Sequence, residues 1–280
     1  MLGVCSLFIP ASSPRMINTG LSLRPSSLIF DLEDAVSPDE KDAARELLRY
    51  ALPLFADKTV AIRINAMDGC WREDLELAKD PAVKVVVVPK AEEGSLAAVD
   101  AGLEVMGCQA GIAALIESAV SLESLDRIVR VSSRLTDLLL GAEDYCLDMG
   151  IERTVSGEEI FFARAQLCNA AHAHGLEALD TPFPGTQDDS ALDNDTRLAK
   201  RLGFTGKLAI NPHQIATIQR VFMPTEAALD WARQVVAATS DPANKGKGAI
   251  ALHGKMIDRP VLKRAERTLA LGQSLGEWES

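Results

Sequence analysis

The residues of this 280-residue chain best suited to chemistry are a set of acids and one arginine that follow short aliphatic runs. Asp31, Glu33 and Asp34 end SLIFDLED, and Arg63 and Asn65 lie in TVAIRIN. Pro89 and Lys90 end VKVVVVPK, Glu117 closes GIAALIES, Glu143 and Asp144 close LLLGAED, and Asp180 closes GLEALD. Polar residues recurring where apolar strands stop match a (β/α)8 barrel, whose active sites are built at the carboxyl ends of the strands. Glu117 and Asp144 are the candidate metal ligands, because the strands they follow are neighbours in such a barrel. Two carboxylates without a cysteine or histidine cluster suit a hard divalent ion that keeps several waters, so Mg²⁺ is expected rather than Zn²⁺. The structural alternatives are an N-cap or surface carboxylate for Glu117 and a turn cap before Tyr145 for Asp144.

Arg63 interrupts an otherwise apolar strand, where an unpaired guanidinium would be costly. It must meet a substrate carboxylate, through a two-donor grip, or Glu33 or Asp34 in an internal salt bridge; the two roles can coexist. An ion, an arginine and further acids together fit carbon–carbon cleavage of an α-oxo or α-hydroxy carboxylate, in which two substrate oxygens chelate the ion.

These side chains need a frame. Eight strand-like runs recur at 6–10, 27–34, 59–65, 83–90, 111–118, 138–144, 175–180 and 206–212. Between them the spacing turns helical: in DEKDAARELLRYAL, Ala43, Leu47, Leu48 and Ala51 share a face behind an acidic first turn. Further helices are predicted at about 71–79, 95–107, 119–130, 156–174, 189–202 and 213–222. Near-continuous aliphatic strands suit a parallel sheet covered on both sides, and eight units suit a closed barrel better than an open doubly wound sheet. The turn after the first strand, IPASSPR, lacks the GxGxxG of a dinucleotide site. The expected architecture is α/β, a (β/α)8 TIM barrel over 1–240 with a short C-terminal arm or lid over 241–280. A helix at 225–239, a mobile glycine- and lysine-rich stretch at 244–248, a hairpin in GAIALHGKMID and a last helix starting near Pro260 complete the chain.

Composition narrows the partners. With 29 Lys and Arg against 40 Asp and Glu, a net charge of -11 repels phosphate backbones, so no nucleic acid is expected. Five cysteines, odd in number and without a CxxC pair, read as buried thiols of a reducing, cytoplasmic compartment. The amino terminus lacks a basic n-region and meets Pro10 early, so it reads as a strand. No apolar run approaches the roughly 20 residues that span a bilayer, so no membrane segment is expected.

The strings SLFIPASSPRM, LIFDLEDAVSPDEKDAAR, VAIRINA, VVVVPKAE, ALIES, LLLGAEDYCLDMG, GFTGKLAINPHQI and GKMIDRPVLKRA resemble the citrate lyase β-subunit and malyl-CoA and citramalyl-CoA lyase family of the HpcH/HpaI aldolases, over about 6 to 272. The resemblance implies a (β/α)8 barrel, Mg²⁺, a coenzyme A thioester substrate, a 2-oxo acid product and a homotrimer. By position it makes Glu117 and Asp144 the metal ligands, Arg63 the carboxylate-binding arginine, and Glu33 and Asp34 an acidic pair beside them. Lys90 of PKAE is the candidate cofactor-binding residue. Asp258 of GKMID is the catalytic acid, delivered to a neighbouring subunit. Rival readings are an aldolase on free hydroxy-oxo acids without coenzyme A, and a catalytically weak structural subunit. Two positions depart from the family pattern: GVCSLFIP lacks the Arg-Ser pair before the first strand, and Ile210-Asn211-Pro212 replaces Ile-His-Pro, with His213 one step later. Both departures are expected to alter the thioester end of the pocket or the substrate range.

Overall fold

The computed structural model describes residues 1–185, 188–241, 244 and 248–276. They form two compact units, Met1–Gln219 and Arg220–Ser280. In the first, β1 (Cys5–Pro10), β2 (Ser27–Asp31), β3 (Val60–Arg63), β4 (Val83–Val88), β5 (Gly111–Ile116), β6 (Leu135–Leu140), β7 (Glu177–Asp180) and β8 (Gly206–Ala209) close into one parallel barrel in chain order. The strands alternate with α1 (Pro14–Ser22), α2 (Lys41–Ala51), α3 (Trp71–Leu75), α4 (Glu93–Val105), α5 (Ala119–Glu123), α6 (Leu125–Ile128), α7 (Ala142–Met149), α8 (Phe161–His174), α9 (Asp189–Leu202) and α10 (Gln214–Phe222). The predicted (β/α)8 barrel is therefore present.

Closure runs through β8, which pairs with β7 and returns to β1 by Cys5↔Lys207, Ser6↔Leu208 and Leu7↔Ala209. At this seam the backbones come so close that a Cβ on Gly206 would run into Gly3 O, so only glycine fits there.

Each strand buries alternate residues inside the barrel, because successive side chains point to opposite faces. The interior cluster takes Ile29, Ala61, Val85, Val87, Ala113, Leu115, Leu139, Leu179 and Leu208, with Leu2 at one end. Counting on by two from these positions reaches Asp31, Arg63, Glu117, Gly141, Thr181 and Ile210, the inward-facing ring at the carboxyl ends. The eight runs are where expected, but most strands stop two to four residues earlier than the sequence suggests. LLLGAED in particular is not one strand: β6 ends at Leu140, Gly141 caps α7, and Glu143 and Asp144 occupy that helix's first turn. The predicted helix at 119–130 is broken at Ser124 into α5 and α6, and the helix predicted from 156 starts at Phe161. Helix α1, not anticipated, carries the signals of Ser13 as N-cap and Pro14 behind it.

The second unit contains α11 (Glu226–Ser240), an antiparallel hairpin of β9 (Ala249–Leu252) and β10 (Lys255–Asp258), and α12 (Arg259–Gly276). The hairpin predicted in GAIALHGKMID is present, and His253 and Gly254 at its two-residue turn both have positive φ. Ala232, Val235, Ile257 and Ala265 form its small core. Of the 244–248 stretch, 245–247 lie outside the described residues. All five cysteines are free, four of them buried and Cys70 half-buried. No helix among the described residues is long and apolar enough to cross a membrane.

Candidate active site

The inward-facing ring lines a cavity of about 450 Å³ at the carboxyl end of the barrel. Among the described residues, its walls combine the carboxylates Asp31, Asp34, Glu117, Glu143 and Asp144 with a single cation, Arg63, one hydroxyl, Thr181, and otherwise apolar or glycine surface.

Arg63 is held first by Asp31. Its Nε donates to Asp31 Oδ1 at 2.7 Å and its Nη2 to Asp31 Oδ2 at 2.6 Å, a two-donor pair on adjacent strands in register. Nη1 lies 3.1 Å from Glu33 Oε2 and 3.6 Å from Asp34 Oδ2, and the guanidinium sits over the Phe8 ring. The expected salt bridge to Glu33 or Asp34 thus exists, but its dominant member is Asp31. The same carboxylate accepts the Glu33 and Ala35 N–H groups, so it also shapes the turn that carries the acidic pair. Glu33 is buried and does not line the cavity, whereas Asp34 does. Burial pushes the Glu33 carboxyl up to about 7 despite Arg63 nearby. Asn65, on the same strand run, is structural: its Nδ2 donates to Leu32 O and to Asp74 Oδ2.

Glu117 is almost fully buried, and the loss of solvation pushes it up to about 8; a backbone bond from Lys90 opposes the shift, while Glu33 and Asp144 add to it. Two backbone features hold this carboxylate. Lys90 takes a left-handed conformation, φ 45°, and its N–H donates to Glu117 Oε1 at 2.5 Å. On the other side, a Cβ on Gly141 would fall 2.7 Å from Glu117 Oε2. The Lys90 side chain is 61% exposed, with Nζ 3.9 Å from Glu33 Oε1. Asp144, half-buried, enters from the start of α7, whose first N–H, that of Ala142, is bound by Thr181 Oγ1.

The donor set fits a magnesium ion: two hard carboxylates in a pocket where the described acids outnumber the cations, one of them raised chiefly by burial. Among the described residues, no three His, Cys, Asp or Glu side chains converge on one point. Two protein ligands with the remaining positions left to water or substrate is the usual habit of Mg²⁺.

Asp180 does not reach the cavity. Leu179 faces the barrel interior, so Asp180 faces the helix layer, where it is fully buried and bonded to Arg164 and Lys207. Glu143 lines the cavity but remains largely exposed, 3.9 Å from Arg153. Asp258 belongs to the second unit, where its Oδ1 accepts the Val261 N–H and caps α12. Residues 3–6 lie at the amino end of β1, while the cavity is reached from β1 only by Phe8 and Pro10. Of the strand-eight motif, Ile210 lines the cavity, and Asn211 instead accepts the His213 N–H.

Residues 5–212 match the HpcH/HpaI aldolase/citrate lyase family model. The citrate lyase subunit beta of Leuconostoc mesenteroides subsp. cremoris is 35% identical over 96% of this chain and 92% of its own length. The mitochondrial citramalyl-CoA lyase of Mus musculus is 30% identical over 97% of this chain and 86% of its own. The crystal structure of CitE from Mycobacterium tuberculosis in complex with magnesium, acetoacetate and coenzyme A superposes with a TM-score of 0.78 at 30% identity, covering 97% of this chain and 98% of that one. With its closed eight-stranded barrel and acid-lined mouth, the chain belongs to the HpcH/HpaI aldolase/citrate lyase family of carbon–carbon lyases.

Proposed function

We propose that the chain is a Mg²⁺-dependent lyase that cleaves a 3-hydroxyacyl-CoA thioester of the citramalyl-, malyl- or citryl-CoA type to acetyl-CoA and a 2-oxo acid. It works as a cytoplasmic homotrimer. The observation that carries this reading is the pairing, in one cavity, of a carboxylate-binding arginine with two hard metal donors, Glu117 and Asp144. The relatives' names and the magnesium of the CitE complex support it.

Glu117 and Asp144 hold the ion, which when bound supplies positive charge that polarises the substrate hydroxyl and its neighbouring carboxylate. Arg63 is fixed by Asp31 along one edge, and its remaining Nη hydrogens take the substrate carboxylate. Asp34, the member of the acidic pair that faces the cavity, accepts the hydroxyl proton. The carbon–carbon bond then breaks, the oxo acid forms, and the electron pair passes to the thioester α-carbon, which takes a proton from Asp258. Asp258 is supplied by the 241–280 arm of a neighbouring subunit, and the exposed Lys90 ammonium at the rim meets the phosphates of the thioester.

The test is complementation. Asp258→Ala and Glu117→Ala are each expected to be inactive, and mixed oligomers of the two should regain turnover of malyl- or citramalyl-CoA in a mass-spectrometric assay. Verified mixed oligomers without activity reject the shared site. The likeness to a citrate lyase subunit favours one second reading, in which the thioester is presented on an acyl carrier. A purified chain inert toward all three CoA thioesters but active on carrier-bound ones would establish it.

A further inference from the structure

The charge inventory of the cavity limits its substrate. Among the described residues, five carboxylates line it against one guanidinium, and Arg63 already spends its Nε and one Nη2 hydrogen on Asp31 while Nη1 faces Glu33. A bound divalent ion leaves the acids still in excess. The amino end of α7 offers little relief to an anion, because its first N–H is taken by Thr181 and its first turn carries Glu143 and Asp144. The remaining lining includes the apolar side chains Ala35, Leu140, Pro182 and Ile210.

We infer that the site accepts a substrate with one free carboxylate and a hydrogen or short alkyl group where a second carboxylate would lie, so that its oxo-acid product is a monocarboxylate. This rests on the lyase reading above and narrows it. The single carboxylate takes the one arginine, and the remaining substituent packs on the Leu140, Pro182 and Ile210 wall. A second carboxylate would be set against uncompensated acids or desolvated on aliphatic carbon, either of which is unfavourable. Among the thioesters considered, the malyl and citramalyl types meet this requirement, and the citryl type, which leaves oxaloacetate, does not.

Isothermal titration of the full chain, first with Mg²⁺ and then with pyruvate or freshly dissolved oxaloacetate, reads the preference without turnover. Oxaloacetate should bind at least about tenfold more weakly than pyruvate. Equal or tighter binding of oxaloacetate overturns the inference and leaves the lyase reading standing. Absence of Mg²⁺ binding, or silence toward both acids, removes both together. Ile210→Arg places a second cation on the apolar wall at a half-exposed position, where it need not disturb the core. It should shift the affinity ratio toward oxaloacetate by about tenfold, the size of one added charge pair. A ratio unmoved in a folded Ile210→Arg protein would show that the wall does not set the choice.

Discussion

Two clusters of acids and bases lie within the same barrel, one at its mouth and one between strands β7 and β8 and helices α8 and α9. In the second, Arg164 donates to both oxygens of Asp180 at 2.9 and 2.8 Å and to Asp195 at 2.7 Å. Lys207 Nζ reaches Asp180 and Asp195 and donates to Thr181 O at 2.7 Å. Two cations meet two carboxylates and all four residues are buried. Burial pushes Asp195 up, but Lys207 and Arg164 outweigh it and hold the carboxyl below its usual range. At the mouth the same residue types occur out of balance, and burial prevails, with Glu33 raised to about 7 and Glu117 to about 8. The balanced cluster is closed on itself, whereas the unbalanced one holds the acids that we propose bind a cation.

Removing one charge from each cluster should therefore have opposite consequences. Lys207→Met strands two buried carboxylates on a single arginine and is expected to cost about 3–5 kcal/mol in urea unfolding. A loss below about 1 kcal/mol would mean the quartet is not a closed electrostatic unit. Glu117→Gln is next in size. It should weaken Mg²⁺ binding by roughly 100-fold or more, as expected when one of two charged ligands is lost, while leaving the metal-free fold intact.

The pH dependence sharpens the contrast. Asp195 is depressed in the fold, so its contribution is present at neutral pH and disappears as pH falls through its lowered value. Glu117 is raised, so the unfolded chain releases that proton first, and the metal-free protein loses stability as pH climbs from the usual carboxylate range through about 8. Unfolding of metal-free wild type and Glu117→Gln across this range should show the wild type falling relative to the variant. Parallel curves would mean that Glu117 carries no burial penalty.

Much of this was legible in the sequence, because strand parity is strict. Arg63 shares a face with Ala61, and Glu117 with Leu115, so both face the cavity as their runs imply. The same parity marks Asp31 as inward, two residues after Ile29, and so as the partner of Arg63 in place of Glu33 or Asp34, and it marks Asp180, one after Leu179, as outward. Other features were not legible. Nothing in VVVVPKAE announces that Lys90 turns left-handed, in the conformation in which its N–H reaches the Glu117 carboxylate. Nor does LLLGAED reveal that the strand gives way to a helix at a glycine pressed against Glu117.

The smallest predicted effect tests that hidden support. Lys90→Gly keeps the N–H and suits positive φ, so Mg²⁺ affinity should be unchanged. Lys90→Pro removes the donor and cannot adopt the conformation, and should weaken the ion by about tenfold, the effect of losing a partner that orients a ligand. If both variants bind Mg²⁺ equally, the backbone bond does not orient Glu117.

The seam between β8 and β1 also has a bearing on how the chain comes into being. During synthesis the first seven strands emerge before residues 206–209, leaving β1 and β7 as unpaired edges that can template wrong pairing. Strand β8 covers both edges at once, and Lys207, carried on it, is the cation that completes the buried quartet. Ring closure, charge neutralisation and protection from aggregation thus arrive in one late event, and a ribosome stalled just short of Gly206 would hold an almost complete barrel with none of the three.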